Sequence, residues 1–168
     1  AVFPATPGYV NYPATVGLPL AIPTGPGVVT STLTIPDNKL IKDLKVRLDI
    51  THTLMTDLDV VLQSPNGNLV KLFDDIGAAT QTGLNFTLSD YNAIPAGLYT
   101  VVSGMGFKPE NNSWLDYFRG MDAQGTWTLY IYDDLSANGG TLNGWSLDVL
   151  EEPIPTLPPV VFSTDFEA

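Results

Sequence analysis

The chain alternates. Eight runs set apolar against polar residues with a period of two: VVTSTLTI (28–35), LKVRLDITH (44–52), LDVVLQS (58–64), NLVKLF (68–73), LNFTLS (84–89), GLYTVV (97–102), TWTLYIY (126–132) and LNGWSLDVL (142–150). Period two is the side-chain repeat of a β-strand, whereas an amphipathic helix repeats every 3.6 residues. Only SWLDYF (113–118) suits a turn of helix. Short strands separated by Gly/Pro-rich turns predict an all-β fold, a jelly-roll β-sandwich of about eight antiparallel strands.

The alternation also assigns faces. Leu44, Val46, Leu48, Ile50 and His52 share one side of their strand, with Lys45, Arg47, Asp49 and Thr51 on the other. Leu58, Val60 and Leu62 point inward, which sends Asp57 and Asp59 out together. Trp127, Leu129 and Ile131 form a further core row. Residues 1–27 show no sustained periodicity. The expected organisation is an extended lead-in over 1–17, a sandwich over 18–150, and a Pro-rich linker with the start of a following segment over 151–168.

The segment TDLDVVLQSPNGNLVKLFDD (56–75) joins two strand-like runs through Ser64-Pro65-Asn66-Gly67 and carries an acidic pair at each end. Asp57 and Asp59 lie on one face at i, i+2, and a hairpin would return Asp74 and Asp75 to the same end. Asp90 and Asp133 each follow another strand. Carboxylates so gathered repel one another unless a cation lies between them. Calcium takes six to eight oxygen ligands, and Asp-rich loops supply them. The chain holds fourteen Asp against four Glu, a bias that suits metal-binding loops and turns alike. The segment is not an EF-hand, because Val60 and Val61 follow D-x-D and the sixth position lacks Gly. Independent turn and capping aspartates are the alternative.

Other functions find little support. A net charge of -11 with seven Lys and Arg argues against nucleic acid. Without cysteine there is no disulfide framework or thiol nucleophile. No apolar run approaches the roughly 20 residues of a membrane span. AVFPATPGYV lacks the features of a signal peptide, which fits a mature fragment or excised module. His52 is the single histidine, at the end of an apolar row where a structural role is expected, and no G-x-S-x-G elbow is present. Asn85-Phe86-Thr87 and Asn111-Asn112-Ser113 match the glycosylation sequon. Trp114, Tyr117 and Phe118 are assigned to the core with Trp127 and Trp145; exposed, they would form a sugar platform.

Taken in order, several motifs resemble one family. They are LAIPTGPGVVTSTLTI (20–35), I-x-H-T (50–53), DLDVVLQSPNG (57–67), Leu72-Phe73, NFTLSD (85–90), FKPE (107–110), LDYFRG (115–120), GTWTLYIYDD (125–134) and GGTLNGWSLDV (139–149). Over residues 18–150 the chain resembles the proprotein convertase P-domain, the P/Homo B module that follows the catalytic domain in kexin- and furin-type proteases. Bacterial forms accompany other secreted peptidases.

The resemblance implies a galactose-binding-like jelly roll with no catalytic residues. It implies a secreted or extracellular setting and, as partner, a protease catalytic domain in the same polypeptide, with a protein substrate as a further one. It implies calcium, with Asp57 at the family's Asp after HT, Asp90 near its acidic run and Asp133 at the Asp after W-x-L-x-V; Asp59 departs from the pattern. His52-Thr53 matches a structural element. The alternative function is a calcium-stabilised carbohydrate-binding or adhesion module, for which a jelly roll is an equal scaffold.

Overall fold

The computed structural model describes residues 8–78, 80–97, 100–110 and 112–153. Ten strands form two sheets among them: β1 (Val10–Pro13), β2 (Leu20–Ile22), β3 (Gly27–Ile35), β4 (Ile41–His52), β5 (Leu58–Gln63), β6 (Leu69–Asp74), β7 (Gly83–Leu88), β8 (Gly106–Phe107), β9 (Gly125–Asp133) and β10 (Gly140–Glu151). One sheet runs β1-β10-β4-β7-β8 with β2 also paired to β10; the other runs β3-β9-β5-β6. All pairs are antiparallel except β7 with β8. The fold is the all-β sandwich expected, with ten strands where about eight were predicted.

The inner faces build the core. Leu48 pairs with Trp145 and Val46 with Leu147 across β4 and β10. Leu33 pairs with Trp127 across β3 and β9, and Val60 with Ile131 across β5 and β9. All eight side chains are buried. Both indoles are satisfied: Trp127 Nε1 donates to the Ala123 carbonyl and Trp145 Nε1 to Ser31 Oγ, each at 2.9 Å. A buried tryptophan needs such a partner for its N–H.

Seven of the eight predicted runs are strands. The exception is 97–102: residues 98 and 99 lie outside the described residues, and 100–102 are not strand, although Val101 is buried. The lead-in contains β1, whose four residues pair with Ser146–Val149 of β10. The predicted helical turn is a short 3-10 turn over Leu115–Phe118. The linker beyond 153 and Asn111 of the second sequon lie outside the described residues.

Two local features position the site. The β5–β6 turn closes where Gly67 N–H donates to the Ser64 carbonyl, at a φ of 90° that glycine adopts without strain. Farther along β6 the register shifts: Val61 faces Lys71 while Val60 faces Phe73, so Leu72 is an extra residue and both Leu72 and Phe73 are buried. Such a bulge re-aims every side chain beyond it. It turns Asp74 to the outer face, opposite Asp59.

Candidate metal centre

Three chain segments meet at one end of the four-stranded sheet. The 3-10 turn Met55–Asp57 leads into β5, β6 ends at Asp74, and β9 ends at Asp133. Backbone hydrogen bonds tie them together: Asp75 N–H donates to the Leu58 carbonyl at 3.2 Å and Asp134 N–H to the Asp57 carbonyl at 3.1 Å. Asp75 sits at a φ of 50°, a left-handed conformation that aspartate tolerates better than most residues. Five carboxylates therefore gather here: Asp57, Asp59, Asp74, Asp75 and Asp134.

The cluster is electrostatically unfavourable. Burial pushes the Asp59 carboxyl above its ordinary value, and the charges of Asp75, Asp74 and Asp134 push it further. Burial likewise raises Asp75, aided by Asp134, Asp74 and Asp57. Asp74 moves the other way, held down by a hydrogen bond from Glu110 and by its ion pair with Lys71. Glu110 is itself raised by burial and by that shared hydrogen bond.

Two carboxylate oxygens lack partners. Asp57 is fully buried; its Oδ2 accepts from Asn138 Nδ2 at 2.7 Å, but Oδ1 has no hydrogen-bond partner among the described residues. Asp59 Oδ1 is also buried and unpartnered. A buried polar oxygen left unpaired costs about 1–3 kcal/mol, and more when charged. The side chains do not form a closed cage: no three Asp, Glu or His groups among the described residues are arranged to hold a metal ion. The donor chemistry, carboxylate oxygens on loops, is that of a hard cation site.

The six aspartates singled out from the sequence divide three ways. Asp57, Asp59, Asp74 and Asp75 come together. Asp133 stands at the same end but points inward, where its Oδ2 lies 3.1 Å from His52 Nε2 and its Oδ1 accepts from Leu135 N–H. Asp90 is elsewhere. It follows β7, whose Gly83 end pairs with Thr51 and whose Leu88 end pairs with Val46, five residue steps or roughly 17 Å farther along the sheet. There Asp90 accepts the backbone N–H groups of Leu115 and Asp116. Asp134 and Asn138 were not singled out. The strand alternation carried the signal for Asp134: a row that aims Trp127, Leu129 and Ile131 inward aims Asp133 inward too.

His52 is buried with both ring nitrogens engaged, Nδ1 lying 2.7 Å from the Leu54 carbonyl and Nε2 against Asp133. The pair fastens the end of β4 to the end of β9. Trp114 and Tyr117 depart from the expected core assignment, since both are exposed, while Phe118 is buried against Trp127 at a ring separation of 5.1 Å.

The fold defines a β-sandwich module with a cluster of carboxylates at one end of its four-stranded sheet. The chain belongs to the proprotein convertase P-domain family, whose model matches residues 41–149, well over half of its length. No curated protein matches the chain. Among solved structures it is similar to a serine protease of Aeromonas sobria, with a TM-score of 0.51 and 22% identity over 86% of this chain and 26% of that one. It is also similar to a chain in the structure of an Aeromonas sobria serine protease and chaperone complex, with a TM-score of 0.54 and 21% identity over 91% of this chain and 28% of that one. This likeness is one of fold, and the chain spans about a quarter of the matched structures' length.

Proposed function

We propose that the chain is a non-catalytic, calcium-stabilised accessory domain of a secreted protease. It would pack against a catalytic domain in the same polypeptide and support that domain's folding or its engagement of protein substrates. Family membership supports the protease association. The observation that carries the calcium reading is the pair of buried, unpartnered oxygens, Asp57 Oδ1 and Asp59 Oδ1, inside a cluster of mutually repelling carboxylates.

Asp57, Asp59, Asp75 and Asp134 are the residues that would hold the ion. Asp74 is divided between this cluster and its bonds to Lys71 and Glu110. Calcium would supply the positive charge that offsets the repulsion, and backbone carbonyls and water complete such shells in other proteins. Asn138 positions Asp57 by holding its other oxygen.

Calorimetric titration of the purified chain tests the reading. Calcium is expected to bind, magnesium weakly, because magnesium demands a smaller octahedral site. Asp57→Asn is expected to abolish calcium binding. Equal binding by the variant, or none by the native chain, would overturn the proposal. The non-catalytic half is tested separately on casein. Turnover that survives repurification and is lost on substitution of a carboxylate would refute it.

A further inference from the structure

Two of the three tryptophans are core residues, but Trp114 is 52% exposed and Tyr117 is 57% exposed. They stand on a segment facing β6, the edge strand of the four-stranded sheet. Between that segment and β6 runs a groove of about 470 Å³, walled on the strand side by Leu69 and Val70. Lys108 Nζ lies 5.3 Å from the centroid of the Trp114 ring, and the Tyr117 ring meets buried Phe118 edge-on. The two aromatics are thus braced from within the molecule while remaining open to solvent.

The groove is neutral on an acidic chain. Lys71 at its rim is bonded to Asp74 and lies 3.7 Å from Glu110, and Asp116 lies 3.8 Å from Arg119. Its remaining polar lining is uncharged: the Asn112 amide, the Ser113 hydroxyl, the Trp114 indole N–H and the Tyr117 phenol. None of these side-chain groups has a hydrogen-bond partner among the described residues.

Exposed aromatic surface favours ligands with apolar C–H faces, while free uncharged donors and acceptors favour ligands with hydroxyl groups. Saccharides combine both in one ring. We propose that this groove binds a neutral glycan, stacked on Trp114 and Tyr117 and hydrogen-bonded by Asn112 and Ser113. Charge argues for the same class, since an anionic polymer would approach a chain of net charge -11. An extended peptide adding to the edge of β6 fits less well. Glu110 already covers half of that edge, its N–H bonded to the Leu72 carbonyl and its carboxylate to the Asp74 N–H. Lys71 sits on the remaining half, where a charged side chain discourages strand addition.

Affinity electrophoresis of the whole chain tests this, in native gels cast with glucomannan, xyloglucan or hydroxyethyl cellulose, and with alginate as the anionic control. Trp114 is the solvent-exposed indole, so its emission reports occupancy. At least one neutral polymer is expected to retard the chain and shift the emission to the blue, with alginate doing neither. Trp114→Ala and Tyr117→Ala should each weaken retardation about tenfold or more. Their near-UV circular dichroism from buried Trp127 and Trp145 should stay unchanged, showing that the fold persists. Retardation by no neutral polymer, or retardation indifferent to both substitutions, would overturn the proposal. So would an emission shift produced by a tryptic casein digest and by none of the glycans, which would mark the groove as a peptide site.

Discussion

Asp59 stands directly opposite Asp74 across the β5–β6 ladder, carboxylate facing carboxylate on the outer side of one strand pair. Like charges directly opposed destabilise a sheet. Lys71 bonds to Asp74 and acts on Asp59 only through its charge, which is outweighed by burial and by the neighbouring carboxylates and leaves Asp59 Oδ1 unpartnered. The hairpin therefore carries a local penalty that a cation would remove, and the response to removing one carboxylate depends on whether that cation is present.

Asp59→Asn should raise the melting temperature in chelator and shrink the rise produced by calcium. Relief of one opposed pair is worth about 0.2–1 kcal/mol, or roughly 1–3 °C for a chain of this size. Calcium at a hundredfold excess over Kd should add about 2.7 kcal/mol to the native chain. Asp90→Asn, at the far end of the sheet, should leave the calcium response intact. Scanning calorimetry of the three proteins decides; a variant at Asp59 that melts lower in chelator yet gains as much from calcium would contradict the scheme.

Acidity should stabilise the chain in chelator. Asp59 and Asp75 have folded-state pKa values raised above their unfolded ones, so the folded state holds more protons between the two values. Stability from these groups is thus greatest below the unfolded carboxylate range near 4 and falls as pH rises through the folded values. Asp74, which is lowered, works in the opposite sense. Urea denaturation in chelator should give a midpoint that rises as the pH is lowered from neutrality toward the ordinary carboxylate range, and the double variant Asp59→Asn/Asp75→Asn should flatten that rise. An unchanged slope in the double variant would assign it to other carboxyls.

Trp127→Ala should destabilise by about 3–5 kcal/mol. The side chain is fully buried, packs edge-on against Phe118 and gives its N–H to Ala123. Its loss leaves a cavity between the sheets and an unpaired carbonyl. Equilibrium unfolding followed by far-UV circular dichroism measures the change, and a loss below about 1 kcal/mol would mean that the core collapses around the gap.

Gly140→Ala should be far worse than Gly27→Ala. A Cβ at 140 would lie 2.1 Å from the Thr51 carbonyl oxygen and 2.6 Å from His52 Cα, so β4 and β10 would have to separate. Overpacking of this kind costs about 1–3 kcal/mol or more. A Cβ at 27 meets nothing within 4 Å. Similar melting temperatures for the two variants would show that the β4–β10 ladder yields easily at its start.

Alternation made the long strands legible. Leu44 to Ile50, Leu58 to Leu62 and Trp127 to Ile131 are inward rows in the structure as in the sequence. Val10–Pro13 and Leu20–Ile22 are too short to show a period, and each is strand through its pairing with β10, which no local pattern reports. The gathering of Asp57, Asp59, Asp74 and Asp75 was legible from the hairpin. The way Asp74 joins was not, because alternation from Val70 and Leu72 points it inward and the bulge at Leu72 reverses that. The far placement of Asp90 and the exposure of Trp114 depend on which elements neighbour them in space, information that strand periodicity does not hold.

The longest pairing in the molecule joins β10 to β4, and the same β10 holds β1 and β2 in place. Among the described residues it is also the last strand in chain order. Without it, β1, β2 and one side of β4 have no ladder to join. The six-stranded sheet is therefore completed only when β10 takes its place between segments that precede it by about a hundred residues or more, a closure built wholly on long-range pairing.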